Sequence, residues 1–410
     1  MDEAQPPPAT DAYLDACLNG LGHAEAERYR GYNKHDALNS PLLTASTLGN
    51  RWLRLAMIQA VMRAPLNLRP LLGVKKSTNA KGLSLFTRAY LSLHENRAPA
   101  PRGPWLEKAG ECLHALEEHA LTGSGYSGAC WGYPYDWQDA GFFAPRGMAN
   151  CVVTCFVSRA FLHAYEVTGE TRYLDTAASA CDFLRRDLTV LHDSEDMLCL
   201  SYAPVPMTWV VMDTSALAGV VLAKVARHLD SQELRDDARR LLHYVVDKQT
   251  PYGAWYYSHP PSGSHITHDN YHTGFILDAI LDYSEASGDD RFMESYRTGL
   301  EFYADRLFLA NGAPKWMHDK DFPHDIHGAA QGILSFARAG SLHPDYLRLA
   351  EKIADWTLLH LYDEASGRFF YQVGRFRSKR FTLMRWCNGW MTWALASLAS
   401  ARRSEDGRAR

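Results

Sequence analysis

A repeated helix-entry segment is the sequence feature that most constrains the fold. Five segments begin with Asn or Asp and continue into a helix of small and apolar residues, and they start 63, 57, 55 and 63 residues apart. A recurring period of this length is typical of proteins built from stacked supersecondary units. The five first residues are Asn150, Asp213, Asn270, Asp325 and Asn388.

A second, more amphipathic helix follows each of the first four segments, and an aromatic, strand-like loop leads to the next unit. This order predicts an all-α fold, an (α/α)6 toroid of six helical hairpins, with short β-hairpins in the loops at the funnel mouth. The apolar first helices are expected to form the inner layer. An earlier hairpin is predicted from residues 81–96 and 104–121, and the helix at 44–64 is expected to pair with the helix at 388 and close the ring.

The predicted repeat sets the domain organisation. Residues 1–43 are assigned to an N-terminal arm and helix, residues 44–401 to a single toroidal catalytic domain, and residues 402–410 to a frayed, charged tail. A chain of 410 residues exceeds the usual size of one domain, but rings built from repeats reach this length as a single unit.

Composition excludes several functional classes. The formal net charge is −4 and no dense basic run is present, which argues against nucleic-acid binding. No apolar run approaches the roughly 20 residues that span a bilayer. The first residues are acidic and proline-rich, unlike a signal peptide. The eight scattered cysteines are typical of buried thiols, so we expect a cytoplasmic protein without a transmembrane span.

Aromatic residues make up 12% of the chain, and many lie in loops. Loop aromatics commonly stack on flat ligands such as sugar rings, although they also pack small cores under long loops. We expect Trp131, Tyr135, Trp255 and Trp386 to stack on a saccharide. Asp136, which is flanked by aromatic residues, is expected to bind sugar hydroxyls.

The repeated Asn and Asp positions have two interpretations. Asn and Asp are among the best N-cap residues, so each can simply accept a backbone N–H of its own helix. The loops that enter the inner helices also gather at one mouth, where the same side chains can line a funnel. Asp213 follows an apolar strand-like stretch, so we expect its pKa to be raised and the group to act as a general acid.

The densest polar cluster is SHITHDNYHTG, which holds His265, His268, Asp269, Tyr271 and His272. His268 and His272 are four residues apart, a spacing that can ligate zinc, but the glutamate of a zinc-protease motif is absent. Zinc stays an alternative, and no cofactor is expected. The favoured interpretation is an acid–base site in which His and Tyr transfer protons and Asp orients or titrates.

Two further groups complete the candidate site. The stretch WMHDKDFPHDIHG contains Asp325 and His327, and the stretch MRWCNGW contains Arg385 and Asn388. We expect His327, Arg385 and Asn388 to bind substrate, with Arg385 contacting a carboxylate or sulfate on the sugar. The arginines and lysine between residues 375 and 380 either share that role or form a solvated, charged hairpin.

The pattern of helix-entry Asn and Asp residues resembles the six-hairpin glycosidase superfamily. Its relatives include unsaturated-uronyl hydrolases, N-acylglucosamine 2-epimerase-like proteins, heparinase-type lyases and glucuronyl C5-epimerases. The strings GYNKHDALNSPLL and HDNYHTGFILDAI also resemble bacterial proteins associated with surface-polysaccharide assembly.

The resemblance implies an oligo- or polysaccharide partner and a reaction in the funnel. In the hydrolases, aspartates at inner-helix entrances carry the chemistry, and Asp213, Asp269 and Asp325 occupy comparable positions. Lyases and C5-epimerases use Tyr, His and Asn or Glu to abstract the proton next to a uronate carboxylate, a role that suits His268, Asn270, Tyr271 and His272. Glycoside hydrolysis is favoured, with a lyase or C5-epimerase and a non-catalytic glycan-binding protein as alternatives.

Overall fold

The computed structural model describes residues 11–96, 103–123, 125–139, 141–264 and 266–408. Within these ranges the chain forms fourteen α-helices joined by short antiparallel strand pairs. The predicted all-α, (α/α)6 toroid is confirmed.

Six helices form the inner ring. Each packs against the next, and the last packs against the first, so the ring is closed. These helices are apolar on nearly every face and are buried along most of their length, as expected for an inner layer. They are α4 (Ala80–Glu95), α6 (Cys151–Thr168), α8 (Met212–Leu229), α10 (Asn270–Ser287), α12 (Ile326–Ala339) and α14 (Trp390–Arg408).

The outer layer supplies one amphipathic partner for each inner helix. Tight turns join the two layers, and a residue with left-handed backbone geometry ends α6, α8 and α10, namely Gly169, Asp230 and Gly288. The outer helices are α1 (Ala12–Ala26), α5 (Trp105–Glu118), α7 (Thr171–Arg186), α9 (Gln232–Asp247), α11 (Met293–Arg306) and α13 (Pro344–Leu361).

Ring closure differs from the expectation. Helix α1, which we assigned to the N-terminal arm, packs against α14. The prediction that residues 44–64 pair with the last inner helix was wrong. That segment forms α2 (Pro41–Ser46) and α3 (Arg51–Arg63), and the buried Ile58 and Val61 of α3 join a separate small core with Ala37 and Leu38. At the other end of the chain, α14 continues through most of the predicted tail to Arg408.

Short antiparallel strands lie in the connections that lead from outer to inner helices, as predicted. The pairs are Arg30–Gly31 with Ser77–Thr78, Trp137–Gln138 with Phe143–Ala144, Val190–Asp193 with Leu198–Leu200, Val210–Val211 with Ser258–His259, and Tyr362–Asp363 with Arg368–Phe369. Strand Gln372–Val373 pairs with both His324–Asp325 and Ser378–Lys379.

Residues 32–76 form a cap between the paired strands Arg30–Gly31 and Ser77–Thr78. A buried ion pair organises the cap: Arg69 Nε donates to Asp36 Oδ1 at 2.5 Å and to the Asn33 carbonyl at 3.0 Å. The Arg69 Nη2 atom also donates to the Lys34 carbonyl at 2.9 Å. Because breaking a buried pair leaves an uncompensated charge, this contact holds residues 33–36 firmly in place.

The α1–α14 interface offers a matched test of ring closure. A Cβ atom on Gly20 would lie 2.8 Å from Thr392 Cγ2, whereas a Cβ atom on Gly22, in the same helix, would meet nothing within 4 Å. We expect Gly22→Ala to stabilise the protein by about 1 kcal/mol through helix propensity. Gly20→Ala should instead lower stability by about 1–3 kcal/mol, because the methyl group overpacks the interface. Chemical denaturation of both variants measures the difference, and equal stabilisation by both would contradict this account of closure.

Candidate active site

The five repeated Asn and Asp side chains divide into three groups. Asn150 and Asp325 cap their helices by accepting a backbone N–H at 2.9 Å. Asn270 and Asn388 donate to backbone carbonyls of neighbouring segments and so tie the inner helices in place. Asp213 differs, since it lies inside the first turn of α8 and its Oδ1 has no hydrogen-bond partner among the described residues. The capping interpretation therefore accounts for only part of the repeat.

Asp213 is a buried carboxyl group in a charged environment. Only 2% of the residue is exposed. Burial raises the pKa of this carboxyl, and the charge of Asp269 raises it further, while His272 and Lys81 oppose the rise. Desolvation disfavours the ionised form, so Asp213 holds its proton to a higher pH than an ordinary aspartate. This outcome agrees with the expectation from the sequence.

His272 and Asp269 form an oriented pair at the entrance of α10. His272 Nδ1 lies 2.7 Å from Asp269 Oδ2, and the histidine side chain is 17% exposed. When Nδ1 carries the proton and donates it to the carboxylate, Nε2 is left to accept a proton from another molecule. The rings of Tyr257 and Tyr271 lie 4.6 Å and 4.3 Å from the imidazole, between ring centroids.

Three buried cations surround these acid–base groups. Lys34, Lys81 and Arg385 are each 5% exposed or less, and within the described part of the chain none of them forms an ion pair with Asp or Glu. Lys34 Nζ lies 3.9 Å from the centroid of a Trp386 ring, and Lys81 Nζ lies 3.8 Å from that of Phe156. Arg385 Nε has no hydrogen-bond partner in the described structure. Burying a charge without a partner is costly, so this arrangement favours an anionic ligand.

Burial also shifts the titration of the two lysines. It lowers the pKa of Lys34 to about 8, with Arg385 and Lys379 adding to the shift and with Asp325 and Asp269 opposing it. The pKa of Lys81 is held well below its usual range by burial and by the charge of Arg385. A nearby negative charge would therefore stabilise the protonated form of both lysines.

His327 lies in the aromatic wall of the funnel. Its ring stacks on Tyr271 at 4.3 Å and lies 4.2 Å from the Trp390 ring, between centroids. Neither ring nitrogen has a hydrogen-bond partner among the described residues, and burial holds its pKa well below the usual range. A neutral histidine with two free nitrogens is suited to hydrogen bonding with a ligand hydroxyl.

Asp325 has a positioning role in this arrangement. Its Oδ1 accepts hydrogen bonds from Trp386 Nε1 at 2.7 Å and from the backbone N–H of His327, while Oδ2 accepts from Gln372 Nε2 at 2.6 Å. With both oxygens occupied by three donors, Asp325 fixes Trp386 and the start of α12. Among the three predicted catalytic aspartates, Asp213 is the one with a buried oxygen that has no hydrogen-bond partner in the described structure.

An aromatic cleft opens beside the charged groups. It has a volume of only about 10 Å³, room for a single water molecule, and is lined by Tyr133, Trp137, Phe142 and Tyr202, among others. The Arg385 guanidinium lies 5.5 Å from the centroid of the Tyr133 ring, so the cleft adjoins the cations. The predicted subsite residue Tyr135 also lines this cleft, and its largely buried ring stacks on Tyr133 at 5.2 Å between centroids.

Several predicted site residues lie elsewhere. The rings of Trp131 and Trp255 are buried between the helical layers, and each indole N–H donates to a carbonyl of an outer helix. Both nitrogens of His268 are hydrogen-bonded, to the Trp255 carbonyl at 2.8 Å and to the Tyr252 hydroxyl at 3.0 Å. Asp136 accepts a backbone N–H in the loop that follows it. His265 lies outside the described residues.

Lys34 and Lys81 were not identified from the sequence. Lys81 does carry a recognisable signal, because Asn79 caps α4 by accepting the Gly82 N–H at 3.3 Å. Asn79 is thus a sixth member of the repeat, and Lys81 follows it in the first turn of α4. Lys34 belongs to the cap and has no counterpart in the other units.

The described residues contain neither a cluster suited to a metal ion nor a helix suited to crossing a bilayer. No group of three or more His, Cys, Asp or Glu side chains in the described ranges is arranged to hold a metal ion. Likewise, no described helix has the length and hydropathy needed to cross a bilayer.

Similarity to known proteins is found at the level of structure. No family model and no curated protein matches the sequence. The fold is similar to cellobiose 2-epimerase from Bacillus thermoamylovorans, with a TM-score of 0.64, 13% identity, and coverage of 80% of this chain and 90% of that chain. It is also similar to an unsaturated glucuronyl hydrolase specific for heparin, with a TM-score of 0.63, 12% identity, and coverage of 97% and 99%.

A third similar structure is a GH76 α-mannanase from Bacteroides thetaiotaomicron, with a TM-score of 0.61, 14% identity, and coverage of 81% of this chain and 88% of that chain. These similarities define the class of fold: the chain is an (α/α)6 toroid.

Proposed function

We propose that the chain is a carbohydrate-active enzyme that hydrolyses a glycosidic bond in an acidic, uronate-containing saccharide. The observation that carries the proposal is a pair of acid–base groups, Asp213 and His272, placed among buried cations that form no ion pair in the described structure. The similar structures are named as a cellobiose 2-epimerase, an unsaturated glucuronyl hydrolase and an α-mannanase. These names support a carbohydrate as the substrate.

Asp213 supplies the acid in this proposal. Cleavage of a glycosidic bond needs a group that is still protonated near neutral pH and can protonate the departing oxygen. Burial raises the pKa of Asp213 and so favours its protonated form. The unpartnered Oδ1 of Asp213 is free to bind that glycosidic oxygen.

His272 supplies the base. Asp269 accepts a hydrogen bond from Nδ1 of His272. The other ring nitrogen, Nε2, takes a proton from the water that attacks the anomeric carbon. In this step the carbon–oxygen bond to the leaving sugar breaks, a new carbon–oxygen bond to water forms, Asp213 gives its proton to the leaving oxygen, and His272 gains one from water. Because the attacking water is the nucleophile, no co-reactant is required.

The cations account for recognition of a uronate. Lys34, Lys81 and Arg385 each lack an ion-pair partner in the described structure and are largely buried. A substrate carboxylate would supply the missing negative charge, and a guanidinium binds carboxylates through paired N–H donors.

Proton abstraction is a second candidate, favoured by the tyrosines that contact His272. Burial holds the pKa values of Tyr257 and Tyr271 well above their usual range, so both hydroxyls stay protonated. In this alternative His272 removes the proton next to the uronate carboxylate, and a neutral tyrosine returns a proton to the leaving oxygen or to the opposite face of the carbon. The products are those of a lyase or a C5-epimerase.

The acid–base assignment predicts the effect of single substitutions. We expect Asp213→Asn and His272→Ala each to lower kcat on uronate-containing oligosaccharides by about 10²–10⁴-fold, the usual contribution of a general acid or base. His268→Gln is the matched control, because His268 lies one turn away and is engaged in structural hydrogen bonds. The measurement is release of reducing sugar, with neutral oligosaccharides assayed in parallel. A stronger loss in the control than in His272→Ala would contradict the assignment.

Isotopic labelling separates the candidates. In water enriched with heavy oxygen, hydrolysis places the label on the product sugar, whereas a lyase leaves the product unlabelled and forms a carbon–carbon double bond. In deuterium oxide, a C5-epimerase incorporates deuterium at carbon. Glycan binding that survives Asp213→Asn, Asp269→Asn and Asp325→Asn without any turnover would identify a glycan-binding protein of polysaccharide assembly and reject the enzymatic proposal.

The titration of Lys34 predicts a pH dependence for acidic substrates. Its pKa of about 8 means that the ammonium is charged below that pH and neutral above it. We therefore expect kcat/KM on a uronate substrate to fall as pH rises through about 8. Lys34→Arg should retain activity above this pH because a guanidinium keeps its charge, and Lys34→Gln should be weak at every pH. A pH profile that is the same for Lys34→Gln and the parent protein would contradict the role of Lys34.

A further inference from the structure

Helix α3 presents an apolar face to solvent. Its inner face packs Ile58 and Val61 against the rest of the cap. On the opposite side Trp52 is 61% exposed and Leu53 is 41% exposed, and two alanines of the same face are also exposed. A helix at the surface of a soluble protein normally carries polar residues on its outward face. An apolar outward face indicates a surface that is covered by another body.

The exposed apolar residues continue beyond α3. Leu42, Leu48, Leu66 and Leu71 are 67–90% exposed; Leu42 lies in α2 and the other three lie in turns or bends of the same cap. Isolated exposed leucines are ordinary, but six large apolar side chains exposed within thirty residues form a concentration that needs an explanation.

A neighbouring hairpin carries the same combination of residues. Its tip presents Phe376, which is 89% exposed, between the exposed Arg375 and Arg377. The hairpin is joined to the end of α3, because Lys379 Nζ donates to the Met62 carbonyl at 2.8 Å. The cap and this hairpin tip are therefore parts of one surface, called here the basic apolar surface.

The charged residues between positions 41 and 76 are all basic. Residues 41–76 contain four arginines and two lysines and no Asp or Glu. Two of the six have acidic partners, namely Arg69 with Asp36 and Lys76 with Glu27. The Arg51 guanidinium lies 4.4 Å from a Trp52 ring centroid, so cation and aromatic residue occupy the same patch.

We propose that the basic apolar surface binds the headgroup region of an anionic phospholipid bilayer. Exposed Trp and Leu side chains inserted at the interface, together with Arg and Lys contacting lipid phosphates, are the physical basis of peripheral membrane binding. The protein then lies on the membrane without crossing it. A bilayer accepts leucines that protrude from several separate turns, because it needs no matched shape.

A second copy of the chain is a poorer occupant. A symmetric dimer places the same patch of both subunits face to face. Here that would bring two sets of unpaired arginines together with no acidic residue from 41–76 to offset them, and like charges across an interface oppose association.

Vesicle flotation tests the proposal with the full-length protein. Vesicles of phosphatidylcholine alone are compared with vesicles of phosphatidylcholine and phosphatidylglycerol, at low and high salt. We expect binding to the anionic vesicles, weakening with salt, and little binding to the neutral ones. Trp52→Ser with Leu53→Ser should lower the bound fraction at least about tenfold, and Arg63→Gln should lower affinity about fivefold.

Leu359→Ser is the matched control, because Leu359 is 78% exposed but lies on the outer helix α13. Circular dichroism confirms that each variant is folded. The proposal is overturned if the parent protein does not float with anionic vesicles, or if the control loses as much binding as the double variant. It is also overturned if the double variant only dissociates a dimer, as measured by light scattering, since the surface would then be a self-interface.

Discussion

The packing of α1 against α14 is the contact on which the rest of the structure depends. It joins the two ends of the described chain: Cys17 Sγ donates to the Thr392 carbonyl at 3.2 Å, and Asn388 Nδ2 donates to the Gly20 carbonyl at 3.0 Å. Helix α1 packs on the outer side of α14, and the inner ring itself closes where α14 packs against α4. Closure brings Arg385 against Gly82, so the site combines residues from both ends of the chain.

The charges at the helix entrances oppose ordinary helix electrostatics. The N-terminus of a helix carries partial positive charge and favours anions. Lys81 nevertheless lies in the first turn of α4, and Arg385 lies in the π-helical turn that begins α14. Buried cations at positive helix ends destabilise the unliganded protein, and a bound carboxylate would relieve both effects at once. The anionic substrate that we propose would account for an arrangement that folding alone disfavours.

The sequence predicts the ring far better than the site. The hairpins follow from local patterns, because each Asn or Asp entry precedes its own helix. Closure by α1 was missed because it rests on a contact between residues about 370 positions apart. Lys34 was missed for the same reason, since it reaches the funnel only through the fold of the cap. Trp131 and Trp255 were misassigned because a loop tryptophan that packs between layers has the same local sequence as one that faces a ligand.

The cap contributes to both proposals, because it carries Lys34 on one side and the basic apolar surface on the other. Its inner side holds Lys34 over Trp386 through the Arg69–Asp36 pair, and its outer side is the basic apolar surface. One two-residue strand pair connects the cap to the ring at its ends. The small core around Ile58 and Val61 is separate from the main core. Further hydrogen bonds tie the cap to the ring, since Lys379 Nζ donates to the Met62 carbonyl and Asn79 Nδ2 donates to Asn33 Oδ1. A bilayer bound as proposed would therefore lie on the outer side of the same segment that holds Lys34 in the funnel.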